Sequence, residues 1–465
     1  MTMASIAAPA RTAAGELATF CGSLRWAELD EAVRQRTREL LLDLLGVTLG
    51  GSRVESSSAP RELAQGAGDG QATLIGTRQT SSADWAALAN GTAAHALELD
   101  DVTTESSLHP GVAIIPAALG LAEELDASPA AMLEAIVAGY EVTMRVGNAL
   151  NPASAYARGF HPTGVAGAFG AAMAAGRLLD LDDERLTHAL GIAGTLASGS
   201  LEYLSNGAWT KRLNAGWAAH AGIVAARLAG AGFTGPSTVF EGRLGALHAY
   251  TDEPYVERLV EDLGRPLQVM RVSIKPYACC RYNHGLIDCM LSLRGSFGLD
   301  DVERIRLGVL SGGALLVADP IEQKRAPANV VDAQFSAPYA SAVALVYGSG
   351  SLESYSTEKL ADPRVRRLMS VTDCYRDASL DAVYPRQWPA AAEVVLRDGR
   401  RLSTRVEYAL GEPENPVPLD ALMSKFISLA GRDDAEALAD RILHVDADPS
   451  VRALGTALRS GGGST

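Results

Sequence analysis

Successive stretches of the chain, Ala27–Leu49, Trp85–Leu97, Gly111–Leu125, Pro129–Asn148, Pro162–Leu179, Asp183–Ser198 and Gly216–Ala231, carry apolar residues at helical spacing. In the first, Val33, Leu40, Leu41, Leu44 and Leu45 form one face, with Arg34, Arg36, Arg38 and Glu39 on the other. Most of the later stretches are built from alanine and glycine, whose small side chains let helix backbones approach closely. The pattern therefore predicts a compact helical bundle. It shows no regular repeat and no sustained heptad.

After Gly264 the texture changes. Leu267–Ile274 and Ile305–Leu310 have strand character, and Ala391–Leu396, Asp398-Gly399 and Leu402–Tyr408 read as a hairpin with a tight turn. Helices are expected at Asn283–Arg294 and Ala337–Tyr347. The whole predicts a mainly α protein: a helical domain over 1–267, a smaller α+β domain over 268–408, helices over 409–458 that return to the first domain, and a flexible tail over 459–465. A chain of 465 residues suits two domains, because single cores stop growing at roughly 250–300 residues.

Composition narrows the function. With 47 % hydrophobic and 21 % charged residues, the chain is of the soluble globular kind. Its longest apolar stretches, Gly164–Gly176 and Val112–Leu121, fall short of the roughly 20 residues a membrane span needs. Met1 to Ala14 lacks the basic start and continuous apolar core of a secretory signal, so a cytoplasmic location is expected. A net charge of −14 argues against nucleic acid as a partner. The five cysteines, Cys21, Cys279, Cys280, Cys289 and Cys374, are odd in number and contain no C-x-x-C pair, which predicts neither a disulfide framework nor an iron–sulfur cluster. No G-x-G-x-x-G follows a strand, and P-loop, G-x-S-x-G and H-E-x-x-H motifs are missing. The expectation is an enzyme without metal or organic cofactor.

Four histidines stand in polar or glycine-marked contexts: His95 and His109 flank Asp100-Asp101, His161 follows Gly159-Phe160, and His284 follows Cys280. Glu98, Asp100 and Asp101 put three carboxylates into four residues. Such neighbours repel one another, so the cluster needs a fixed cation or a raised pKa, unless it is a solvated helix end. Lys211 in Trp209-Thr-Lys-Arg-Leu-Asn214 and Lys275 in Val272-Ser-Ile-Lys-Pro-Tyr277 stand in apolar surroundings, where a lysine meets an anion or snorkels to the surface. With Arg212, Arg281 and the histidines, they suit a di- or tricarboxylate.

In order along the chain, Asn90–Asp101 with His109-Pro110, Gly159–Thr163, Thr210–Gly216 with Gly232–Pro236, Lys275–Cys280 through His284, and Ala333–Tyr339 resemble segments of the MmgE/PrpD family. That family includes 2-methylcitrate dehydratase, cis-aconitate decarboxylase and iminodisuccinate epimerase. The resemblance implies a large helical domain, a smaller α+β domain, a site between them, and a homodimer. It puts His109, His161, Lys211, Lys275 and His284 at the family's site positions, with Asp100, Asp101, Cys280 and Tyr339 nearby; the catalytic set expected here is His109, His161, Asp101, Lys211 and Lys275, with Glu98, Asp100, Arg212, Cys280, His284 and Tyr339 binding the substrate. Glu98 stands where many members have Asp, Val102 where many have Thr, and Asn214 where His is common. Cys280 occupies a position that is His in some decarboxylases.

The implied activity is a hydro-lyase acting next to a carboxylate, on a substrate such as 2-methylcitrate. A decarboxylase or epimerase on a related skeleton is the alternative, and a catalytically silent anion-binding protein is a reading of another class. In the mechanism expected here, Lys211 and Lys275 hold carboxylates, His109 and His161 move protons, and Asp101 orients one imidazole.

Overall fold

The structure is a computed structural model and describes residues 11–459; the tail expected beyond Arg459 lies outside the described residues. The fold is mainly helical with a smaller mixed α/β region. The chain divides into two compact units. Of the described residues, the first comprises 11–96, 106–270 and 426–459, and the second 97–105 and 271–425. Among the described residues, no helix is long and apolar enough to cross a membrane.

The first unit is a helical bundle. Its main helices are α1 (Glu31–Gly51), α2 (Ala83–Ala94), α3 (Gly111–Leu125), α4 (Pro129–Ala149), α5 (Pro162–Leu178), α6 (Asp183–Leu196) and α7 (Thr210–Gly230). Helix α5 lies at the centre, packed by α3, α4, α6 and α7. It is almost wholly buried from Pro162 to Gly176, as an all-apolar helix of Ala, Gly, Val, Phe and Met must be. The late helices Ala435–Leu443 and Val451–Arg459 pack on α1 and α3 respectively.

Glycine sets the helix spacing, as the composition predicts. Where α2 crosses α7, Gly91 and Gly216 face each other, and a Cβ on Gly216 would lie 2.2 Å from the Leu88 carbonyl oxygen and 2.4 Å from Thr92 Oγ1. Gly216→Ala is therefore expected to force the two helices apart, at a cost of about 1–3 kcal/mol. A thermal midpoint several degrees lower in calorimetry is the expected reading, and an unchanged midpoint would show that the crossing is slack.

The second unit combines a four-stranded sheet with helices. Its strands are β1 (Val302–Val309), β2 (Thr372–Arg376), β3 (Ala390–Leu396) and β4 (Arg401–Val406), in the order β2-β1-β3-β4. β1 runs parallel to β2 and antiparallel to β3. The β3–β4 hairpin turns at Asp398-Gly399, where Gly399 takes a positive φ of 85° that glycine adopts without steric cost. Its longer helices are α8 (His284–Leu293), α9 (Ala337–Tyr347) and α10 (Pro363–Ser370); α8 packs on β3 and β4, and α9 on α8, α10 and β2.

One expectation fails. Leu267–Ile274 is not a strand, for Gln268–Arg271 is a short 3-10 helix and Ser273 makes only an isolated bridge, with Val102. Its alternating apolar residues are buried, but no neighbouring strand offers a continuous ladder.

Candidate active site

Two His-Pro dipeptides open two helices of the first unit. Proline fits the first turn of a helix, while the residue before it is driven out of the helical region. His161 accordingly has φ −91° and ψ 107° and is the N-cap of α5, with Pro162 at the first helical position. His109 stands one residue before Pro110, the N-cap of α3. Both imidazoles thus belong to helix ends, where the positive pole of the backbone faces out. The His109 backbone N–H donates to Thr163 Oγ1 at 3.1 Å, tying the two helix starts together.

His95, the C-cap of α2, joins them. Its ring lies 4.7 Å from that of His109 at 62°, and stacks on His161 at 5.9 Å and 16°. Tyr203 closes the other edge of His161, at 5.8 Å and 74°. His95 and His161 are buried and His109 half-buried. Imidazole is the side chain best suited to moving protons near neutral pH, and three gathered this closely form the candidate acid–base centre. Lys211 and Arg212 stand half-buried on the first turn of α7. The Arg212 guanidinium donates to Ser56 Oγ at 2.5 Å. On the next turn, Asn214 Nδ2 lies 3.3 Å from His161 Nδ1 and 3.2 Å from the Ser200 carbonyl oxygen.

The remaining candidates lie in the second unit. Helix α2 ends before the acidic cluster, so Glu98, Asp100 and Asp101 are not a solvated helix end; they lie on a non-helical segment and are all buried. The counter-ion of Glu98 is Lys275, itself 1 % exposed, whose Nζ donates to the Glu98 carbonyl oxygen at 3.2 Å and to Glu98 Oε2 at 3.5 Å. Burial alone would push the Lys275 ammonium down, but the Glu98 and Asp100 carboxylates outweigh it and hold its pKa above the ordinary value. Glu98 adopts φ 56°, uncommon for a side chain of its size.

Two residues that sequence reasoning passed over hold this segment. Lys425 Nζ donates to the carbonyls of Leu99 at 2.8 Å and Lys275 at 2.7 Å. Gln334 Nε2 donates to those of Leu97 at 3.2 Å and Ala278 at 2.9 Å. Lys425 reads in sequence as an ordinary surface lysine of an amphipathic helix, so nothing there marks it. Gln334 lies within a segment quoted for the family resemblance.

Cys280 is buried, and its backbone N–H donates to the Gln334 carbonyl at 2.9 Å. Burial pushes the thiol of adjacent Cys279 up to about 12, so it stays protonated near neutrality. Tyr339 is fully buried and donates to the Ser354 carbonyl at 2.8 Å. His284 is also fully buried; its Nε2 is 3.3 Å from the Cys279 carbonyl, and Nδ1 has no hydrogen-bond partner among the described residues. Burial, then Arg281 and Lys275, depress its pKa well below the imidazole range.

His284 therefore makes folding acid-sensitive. Below pH ~6.5 the unfolded chain takes up a proton that the folded chain refuses, so stability falls with falling pH, by about 1.4 kcal/mol per pH unit from this group. Comparing denaturant midpoints between pH 7 and 5 should show a flatter profile in His284→Gln than in the native protein. Parallel profiles would mean that His284 takes up a proton as readily in the fold as in the unfolded chain.

Fold and sequence together define the class of protein: a helical bundle with a smaller mixed α/β unit, of one known enzyme family. The chain belongs to the MmgE/PrpD family: the MmgE/PrpD N-terminal domain matches residues 15–259 and the MmgE/PrpD C-terminal domain residues 277–448. Among relatives, the chain is 28 % identical to the cis-aconitate decarboxylase-like protein oryM of Aspergillus oryzae, across 91 % of each chain. It is 28 % identical to the cis-aconitate decarboxylase of Aspergillus terreus, across 93 % of this chain and 92 % of that one. Against the human cis-aconitate decarboxylase, identity is 27 % across 89 % and 87 %.

Proposed function

We propose that this protein is a lyase of small di- or tricarboxylates, and that its reaction is loss of CO2 from an unsaturated skeleton of the cis-aconitate kind. The observation that carries the reading is the set of three imidazoles gathered at the starts of α3 and α5. The names of the relatives support it. In such a substrate the C–C bond to a carboxylate breaks, its electron pair becomes a new alkene, and the old alkene shifts its pair to a neighbouring carbon that takes up a proton. Two things are needed: N–H groups facing the charge that builds up, and a mobile proton. His109 and His161 supply them, and Lys211 holds a remaining carboxylate. Lys275 and Asp101 retain supporting roles in this reading, Lys275 with Glu98 as its permanent counter-ion.

Dehydration of a 2-hydroxy tricarboxylate such as 2-methylcitrate is the second reading. It is favoured by Cys280, which stands where some decarboxylases of the family have His. Headspace CO2 and proton NMR decide between them, on chelator-treated protein given cis-aconitate-like and 2-methylcitrate-like compounds. CO2 release with chelator present supports the first reading, alkene formation without CO2 the second, and activity restored only by added metal would overturn both.

A homodimer is part of the proposal. Trp209, the N-cap of α7, and Leu213 and Trp217 on that helix recur every four residues and are 48 %, 40 % and 38 % exposed, an apolar stripe of the kind that subunit contacts cover. Light scattering is expected to give about twice the 48.7 kDa chain mass, and a smaller species for Leu213→Glu. A native monomer at micromolar concentration would contradict this.

A further inference from the structure

We propose that Asn214 fixes His161 as its Nε2–H tautomer, so that His161 meets the substrate as a hydrogen-bond donor and the moving proton is left to His109. This rests on the functional reading above only in placing His161 at the reacting centre.

The inference comes from the amide of Asn214. The Ser200 carbonyl oxygen, 3.2 Å from Asn214 Nδ2, is purely an acceptor. An amide flipped to face it with Oδ1 would set two oxygens against each other, so the NH2 group must be on that side. The same NH2 lies 3.3 Å from His161 Nδ1. It carries two hydrogens and has one acceptor for each, provided Nδ1 is bare. The ring proton of neutral His161 is then on Nε2.

Two features hold this arrangement. His161 and Ser200 belong to paired segments: the His161 N–H donates to the Gly199 carbonyl at 3.0 Å, the Leu201 N–H to that of Gly159 at 2.9 Å, and Phe160 bridges Ser200. The imidazole and the carbonyl that Asn214 joins are thus carried on one short ladder. His161 is also the N-cap of the 17-residue helix α5, whose positive end disfavours a second proton on the ring. Titratable groups around it include His95 stacked on its face, Tyr203 at its edge, His109 beyond His95 with Asp100 near both of these histidines, and Lys211 and Arg212 just before Asn214 on α7.

The chemical consequence is a division of labour. A bare Nδ1 engaged by an amide is withdrawn from proton transfer, and an Nε2–H donates to negative charge on a carboxylate or enolate-like intermediate without surrendering its proton. The family resemblance makes His common at position 214. A histidine there titrates with its neighbour and leaves the tautomer open, whereas Asn does not titrate. Asn214 is in this sense a positioning residue.

The decisive measurement is nitrogen NMR of the resting, full-length enzyme labelled with 15N-histidine, with His161→Gln identifying the His161 signals. At pH 7.5 the expected result is an unprotonated Nδ1 and a protonated Nε2. In Asn214→Asp the carboxylate should instead accept from Nδ1–H, raising the His161 titration midpoint by about 1 pH unit or more, displacing the pH–rate profile to match and lowering kcat about 10-fold or more with a smaller change in KM. A protonated Nδ1 with bare Nε2 in the native enzyme, or a pH–rate profile unmoved by Asn214→Asp in a folded protein, would overturn the proposal. Should Asn214→Asp not fold, the native spectrum still decides. Full turnover in His161→Gln would instead defeat the functional reading, and the tautomer measurement distinguishes that failure because it needs no substrate.

Discussion

Replacing His161 with glutamine is expected to lower kcat by about 10²–10³-fold, the usual loss when a fixed donor to developing charge is removed. The ring lies between His95 and Tyr203, and glutamine is close to it in bulk, so the helical unit should keep its thermal midpoint within a few degrees. Because the lost interaction strengthens as charge builds, the change should fall on kcat and kcat/KM together and leave KM nearly constant. A variant with near-native kcat would remove His161 from the mechanism. A variant with low activity and a collapsed midpoint would make the histidine cluster a packing feature.

Lys275→Met should act through stability. It leaves Glu98, Asp100 and Asp101, all buried, without the ammonium that Glu98 holds, and breaking a buried pair from one side costs about 3–5 kcal/mol. The thermal midpoint should fall by roughly 2–4 °C for each of these. Lys275→Met combined with Glu98→Gln should recover part of the loss, since the uncompensated charge is then reduced. If Lys275→Met instead melts as the native protein does and only KM rises, its ammonium is a substrate ligand, as the family resemblance implies.

The sequence revealed the helical bundle most clearly where proline and the apolar period agreed. Gly111–Leu125 was expected and found between the same residues, because Pro110 starts the helix and polar residues end the apolar run. Helix α7 begins at Thr210, six residues before the expected Gly216: Thr-Lys-Arg-Leu-Asn has no apolar period, and the turn is helical through its attachment to buried Ala215–Ala229. Strand β2, Thr372-Asp-Cys-Tyr-Arg, was missed because an edge strand with only Thr372 fully buried lacks alternation.

The site was legible as a set of residue types, but not as partnerships. His95, His109 and His161 stand out in sequence through their polar and glycine-marked contexts, and the family resemblance gives roles to the last two. The acidic cluster and Lys275 were both singled out, yet 177 residues separate Lys275 from Glu98, and no local pattern announces a pairing over that distance. The same applies to Lys425, whose two carbonyl partners lie 326 and 150 residues away.

The central claim is that imidazoles at the helix starts deliver a proton to carbon beside a carboxylate. Its most direct test is turnover of a cis-aconitate-like substrate in D2O by the native enzyme and by His109→Gln, with deuterium located in the product by NMR. One deuterium at a single carbon, delivered stereospecifically, and a rate about 10²-fold or more lower in the variant are the expected results. Deuterium scattered over both faces, or entering at the native rate without His109, would contradict the account.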